Sequence, residues 1–259
     1  MTILDKIIAS KKVEVASRKV SMPISALERS FVFSHKCLSM KQSLLNSDSG
    51  IISEFKRKSP SLGWIHENAD VVGITSGYSG AGASGISILT DLEYFGGSPE
   101  DLKMARKFII CPVLRKDFVI DEYQLYEAKA IGADVILLIA AALTVKKNLE
   151  LARKAHDLGL EVLLEVHNAE EIAHANDYVD MLGVNNRNLK TFEQNIQTSF
   201  DLVDLIPNKF VKVSESGISK VETINELRKL GYKGFLMGEN FMKEENPAEA
   251  LSDFIKKLN

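Results

Sequence analysis

From Gly50 onward, short apolar runs rich in β-branched residues alternate with longer stretches in which apolar residues recur every three or four positions. A strand covered on both faces reads as a continuous apolar run, while a helix laid over it is apolar along one stripe, so the alternation predicts βα units around a parallel sheet. Eight strands are predicted, at 50–55, 86–90, 112–115, 135–139, 161–166, 181–185, 210–214 and 235–237. Helical spacing falls between and after them, at 69–79, 99–108, 122–131, 147–158, 169–176, 198–205, 219–230 and 247–258. Asp121 stands before one helical stretch, and Ser219 with Glu222 before another matches a capping box. Gly132, Gly159 and Gly231 fall where a left-handed residue ends a helix.

Upstream, residues 3–20 carry apolar positions at helical spacing with lysines between them, and Pro23 stops the pattern. An amphipathic helix packed on a later element is expected, its lysines forming a solvated side rather than a membrane or partner surface. Two shorter helices are expected at 24–29 and 40–45, with no role assigned. From Glu54 to Glu239 the chain advances 185 residues over seven units, about 26 each, the length of one βα unit. Eight units without a Pro-, Gly- or Ser-rich linker predict an α/β fold, a (β/α)8 TIM barrel with extra N-terminal helices. It is read as one domain over 1–259, in which 1–49 is a helical extension packed on the barrel. A doubly wound sheet is the alternative, but no Gly-rich fingerprint follows the first strand, and Gly80-Ala81-Gly82 lies past a helix.

Composition narrows the function. A chain of 259 residues that is 45% hydrophobic can bury a large core, and a net charge of −3 argues against the general field of a nucleic-acid binder while leaving room for a local phosphate site. The run Val135 to Leu143 is too short to cross a bilayer. Cys37 and Cys111 have neither metal-ligand nor disulfide spacing, and no cleaved signal is visible, so both are read as reduced thiols of a cytoplasmic protein.

In a barrel of this kind chemistry collects at the carboxyl ends of the strands. Those ends hold Glu54 and Lys56, Asp91, Lys116, Glu165, Asn185 and Arg187, Glu215 and Ser216, then Gly238 and Glu239. Side chains two apart on a strand share a face, so Glu54 and Lys56 point the same way, whereas Arg115 points opposite to Lys116 and supports structure. Any one of these groups can be a solvated strand end; gathered on one rim they argue for an active site.

The stretches SEFKRKSPS (53–61), SILTD (87–91), PVLRKDF (112–118), GADVILLIAA (132–141), LLEVHN (163–168), LGVNNRNL (182–189), VSESGIS (213–219) and FLMGENFM (235–242) resemble the strand-end motifs of the indole-3-glycerol phosphate synthase family. The resemblance runs from about residue 3 to the end and includes the N-terminal helices. It implies ring closure, decarboxylation and dehydration of 1-(2-carboxyphenylamino)-1-deoxyribulose 5-phosphate, a lyase reaction of tryptophan biosynthesis. It further implies no metal and no cofactor; charge and the short apolar run add the expectation of no nucleic acid and no membrane, and the expected state is a monomer, with weak association with other enzymes of the pathway left open.

By the same resemblance Lys116 is the general acid, Glu165 the general base, and Glu54 and Glu215 orient the lysines or bind substrate hydroxyls. Lys56 pairs with the substrate carboxylate, acts as a second acid, or does both. Asn185 and Arg187 match substrate-contacting positions, although a rim ion pair is an equal reading for Arg187. Phe118 is an apolar wall for the anthranilate ring, and Leu137 is either a second wall or core packing. Small residues at strand-to-helix turns let the backbone approach a phosphate, which points to Ser216, Gly217 and Gly238, with Ser59 adding a hydroxyl and Glu239 only its backbone. His167 ranks below Glu165 as a base. Phosphoribosylanthranilate isomerase-like, Schiff-base aldolase and non-catalytic readings stand as alternatives.

Overall fold

The computed structural model describes residues 2–258. Strands Ile51–Phe55, Gly85–Leu89, Val113–Lys116, Val135–Ile139, Glu161–Val166, Met181–Asn185, Val211–Glu215 and Tyr232–Met237 lie parallel, each beside the next in chain order. The first closes on the eighth, with Ile52 opposite Leu236, and on its other edge pairs with the second, with Ser53 opposite Ile86. The fold is a TIM barrel with added N-terminal helices, and all eight predicted strands are present within a few residues.

Period-two alternation sorts the apolar residues into two cores. Ile52, Leu114, Leu137, Leu163, Met181 and Val213 fill the inside of the barrel. Ile51, Ile88, Val113, Ile136, Leu164 and Val184 face outward beneath the helices. Arg115 follows the outward set: its guanidinium lies 3.0 Å from Asp117 and 2.5 Å from Glu127 under helix Tyr123–Ile131.

Two of the local expectations change. Residues 169–176 form a 3-10 turn, Glu170–His174, instead of an α-helix. The Asn168 side chain accepts from the Glu171 amide as a cap at the start, but at the other end Asn176 donates to the His174 carbonyl and accepts from the Tyr178 amide, which closes the segment after little more than one turn. Ser219 does not cap its helix, which starts at Val221 behind Lys220; Ser219 lies one residue early, in the loop that the left-handed Gly217 turns toward a cleft. The first loop contains a short antiparallel hairpin, Lys58–Ser59 with Gly63–Trp64. Asp121, by contrast, does accept from the Tyr123 amide at 2.9 Å.

The extension runs from one end of the barrel to the other. Helix Met40–Leu45 seals the base: a Cβ at Gly85 would lie 2.1 Å from the Met40 sulfur, and one at Gly234 would lie 3.0 Å from Leu44. Between base and mouth the chain follows helix Tyr123–Ile131, with Ser30 bonded to the Ala130 carbonyl and the Leu38 amide bonded to Asp134. Helix Ile3–Ser21 is fixed at the mouth, and Thr2 and Asp5 form a reciprocal capping box at its start.

One lysine of that first helix departs from the expected solvated side. Lys11 is 1% exposed, and its Nζ lies 2.7 Å from Glu14, 2.8 Å from Asp91 and 2.9 Å from Asp117. Burial alone would weaken its hold on the proton, but Asp117 and Asp91 override this and raise its pKa. Replacing Lys11 by methionine strands buried carboxylates without their cation, and should cost about 3–5 kcal/mol in urea unfolding at neutral pH. A loss below about 1 kcal/mol would show that the ion cluster contributes little.

Candidate active site

At the carboxyl end of the barrel the inward positions converge. Lys56 Nζ lies 2.8 Å from Glu54 Oε1, both at the end of the first strand. Lys116, from the third, lies 2.5 Å from Glu215 Oε2 of the seventh and 3.4 Å from Glu165 Oε2 of the fifth. The Asn185 carbonyl oxygen accepts from the Arg187 amide at 3.0 Å, which fixes its amide. Two glycines make room for the carboxylates. A side chain at Gly183 would strike Glu215 Oε1 at 2.2 Å, and one at Gly238 would strike Glu54 at 2.7 Å.

Three buried carboxylates around two lysines set the protonation states. Burial would lower the pKa of Lys116, but Glu215, Glu165 and Glu54 override it and hold the ammonium charged. For Glu165 burial is outweighed by Lys116, His167 and Asn185, which bring it down to about 2. Glu54 is lowered in the same way, against its burial, by Lys56 and Lys116. Glu215 moves the other way, pushed up to about 7 by burial, with the Lys116 charge opposing and Glu165 adding repulsion. Its Oε1 is buried and meets no hydrogen-bond partner among the described residues.

Two spaces meet at this cluster and share Glu54, Lys56, Lys116, Arg187 and Ser216. One is a mostly apolar cavity walled by Leu89, Phe95, Phe118, Leu137 and Ile139, with the Phe95 and Phe118 rings 6.1 Å apart. Ile3, Leu4 and Ile7 of the first helix complete that wall, so the extension is part of the site. The other space is a polar cleft bordered by Gly217, Ser219, Gly238, Glu239 and Lys243. Ser216 and Gly217 are consecutive residues with positive φ, 66° and 71°, and both border this cleft. For Ser216 that backbone is costly, and a buried asparagine holds it. The Asn186 amide donates to the carbonyls of Glu215 and Ser216 and to the Ser214 hydroxyl.

Among the residues singled out by sequence, Ser59 lies apart from the polar cleft. It borders the apolar cavity, and its hydroxyl accepts from the Leu62 amide. Arg187 spans the rim, donating to Ser61 at 2.9 Å and lying 3.3 Å from the Glu239 carboxylate. Sequence reasoning missed Asn186, Gly183, Lys11 and the three apolar residues of the first helix. For Asn186 a signal existed, the Asn-Asn pair at a strand end; for the others the partners lie too far away along the chain.

The family model for indole-3-glycerol phosphate synthase matches residues 4–254. The indole-3-glycerol phosphate synthase of Bacteroides thetaiotaomicron is 52% identical over 256 residues, covering 99% of this chain and 98% of that protein. That of Polynucleobacter asymbioticus is 43% identical over 261 residues, covering 97% and 98%. Solved structures add the fold alone. A mutant tryptophan synthase alpha-subunit from Pyrococcus furiosus aligns with a TM-score of 0.62 at 17% identity, over 82% of this chain and 98% of that one. The 3-hexulose-6-phosphate synthase of Salmonella typhimurium gives 0.61 at 14%, over 81% and 100%. Matched along nearly its whole length by the family model and by these relatives, the chain belongs to the indole-3-glycerol phosphate synthase family.

Proposed function

We propose that the chain closes the indole ring of indole-3-glycerol phosphate from the anthranilate-linked ribulose phosphate, with Lys116 as first acid and Glu165 as base. The observation that carries this division of labour is the place of Lys116, between Glu215 and Glu165, where the apolar cavity meets the polar cleft. An aromatic ring suits Phe118, Leu137 and the first helix, and a phosphate suits Ser216, Gly217 and Gly238, with the Glu239 backbone beside them. The ribulose carbonyl then falls near the lysines.

As the ring carbon attacks that carbonyl, the oxygen takes a proton from the Lys116 ammonium, and carbon dioxide leaves to restore aromaticity. Lys56, oriented by Glu54, meets the substrate carboxylate and gives the second proton, so the hydroxyl departs as water. Glu165 removes one proton as the double bond forms and returns it to Lys116, 3.4 Å away. Two protons given and one recovered leave one drawn from solvent, as loss of carbon dioxide from a carboxylate requires. A charged Lys116 is a poor Schiff-base nucleophile, so borohydride should trap no adduct.

Asn185 and Arg187 bind the sugar hydroxyls and close the rim. On this reading the enzyme is a cytoplasmic monomer, and residues 1–49 and the barrel work as one domain on a small phosphosugar. The test is indole fluorescence on mixing the purified chain with the anthranilate-linked ribulose phosphate in the presence of a metal chelator. Rapid product formation, unchanged by the chelator, is expected; no product from a folded chain would overturn the reading.

A further inference from the structure

His167 is used by no step above, yet it touches the base. It follows Glu165 by two residues and so faces the same way, with Nε2 buried and 3.3 Å from Glu165 Oε1, a charge contact outside hydrogen-bond geometry that leaves Nε2 without a hydrogen-bond partner among the described residues. Its other nitrogen, Nδ1, lies 3.1 Å from Glu171 Oε2. The ring is held before it meets Glu165: Glu171 accepts the His167 backbone N–H at 2.8 Å and the Asn168 amide at 2.9 Å. Facing Glu165 from the other strands are Lys116, Asn185, Glu54 and Glu215; facing His167 are Glu165 and Glu171.

We propose that His167, held beside Glu165 by Glu171, is a positioning residue whose positive charge keeps the Glu165 carboxylate ready to accept a proton while Lys116 is without its own. The need follows from the order of steps, and so rests on the reading of Lys116 as acid and Glu165 as base. When Lys116 protonates the substrate oxygen it becomes neutral, and three buried carboxylates lose their nearest shared positive charge. Glu165 would then recapture a proton just before it must accept one from the substrate. An imidazolium on its far oxygen prevents this. Burial would discharge the ring, but Glu165 and Glu171 outweigh it and raise its pKa to about 10, so the cation persists at neutral pH. His167, Asn168 and Glu171 also border a further cleft, which shares Leu4, Asn185 and Arg187 with the reaction cavity.

The experiment compares His167→Gln, His167→Phe and Glu165→Gln across pH 5.5 to 9, with nitrogen-15 NMR of the imidazole in the unaltered protein. A glutamine keeps a neutral donor but no charge. His167→Gln should therefore approach the unaltered kcat at pH 9 and fall about tenfold or more at pH 6, with KM changed less than about threefold. His167→Phe should be slow throughout, and Glu171→Gln should give a weaker form of the glutamine profile. The imidazole of the unaltered protein should remain doubly protonated past pH 8. A His167→Gln profile parallel to that of the unaltered enzyme, or a ring that loses its proton near pH 6.5, overturns the proposal. If Glu165→Gln itself keeps full rate, the base assignment fails instead, and the two failures are separable.

Discussion

Replacing Lys116 by methionine is expected to leave a folded protein whose turnover falls by about a thousandfold or more. Methionine fills much of the same volume, so the apolar neighbours Leu114 and Leu137 keep their packing. What goes is the ammonium between Glu215 and Glu165. The substrate oxygen then has no acid, and the cluster responds to the lost charge by taking up a proton. Glu215, already near 7, takes it first. That uptake offsets part of the roughly 3–5 kcal/mol that breaking a buried ion pair costs, so the variant should unfold in urea at a lower but measurable midpoint. Indole fluorescence at substrate saturation gives kcat, and circular dichroism confirms the fold. Turnover within tenfold of the unaltered enzyme would remove Lys116 from the acid role.

Changing Glu165 to glutamine should separate binding from chemistry. The amide has nearly the same shape; its oxygen can accept from only one of the two cations beside it, Lys116 or His167, but the walls of the apolar cavity and the polar cleft are unchanged, so product affinity by calorimetry should stay within about tenfold. Turnover should drop by about a hundredfold to ten-thousandfold, the span of a positioned base. The substitution has a second signature. In the folded protein Glu165 titrates at about 2, below its ordinary value of 4.5, so its charge contributes stability above pH 4.5 that is lost as pH falls toward 2. The glutamine variant should lose less stability over that interval. Full catalytic rate, or an unaltered acid unfolding curve, would contradict the assignment.

Much of this site could be read from the chain because parallel strands make their own punctuation. A strand buried on both faces is a run of Val, Ile and Leu, and an ionisable residue at its carboxyl end, on the inward side of the period-two alternation, marks the mouth. Glu54, Lys116, Glu165 and Glu215 were legible for that reason, and period-two spacing placed Lys56 and His167 on the side of their carboxylates. Lys11 was not legible, since a lysine among lysines on a helix reads as solvated until Asp91 and Asp117 close over it. Gly183 reads as a weak point in a strand, yet it supplies the room that Glu215 occupies. Residues 169–176 carried helix-forming side chains, but Asn176 takes the His174 carbonyl and the Tyr178 amide and ends the turn, and no periodicity measures that competition.

The strap formed by the extension has a consequence for how the molecule assembles. Its anchors are partners made much later by the ribosome: Arg18 waits for Glu127, Ser39 for Glu161, and Leu44 for Gly234. Helix Ile3–Ser21 can meet its anchors once residue 127 is made, whereas Leu44 has no seat until the eighth strand, Tyr232–Met237, has been synthesised. The mouth wall of Ile3, Leu4 and Ile7 can thus be held in place before the ring closes, while the seal at the base waits for the end of the chain, and contacts this distant in sequence make for slow maturation.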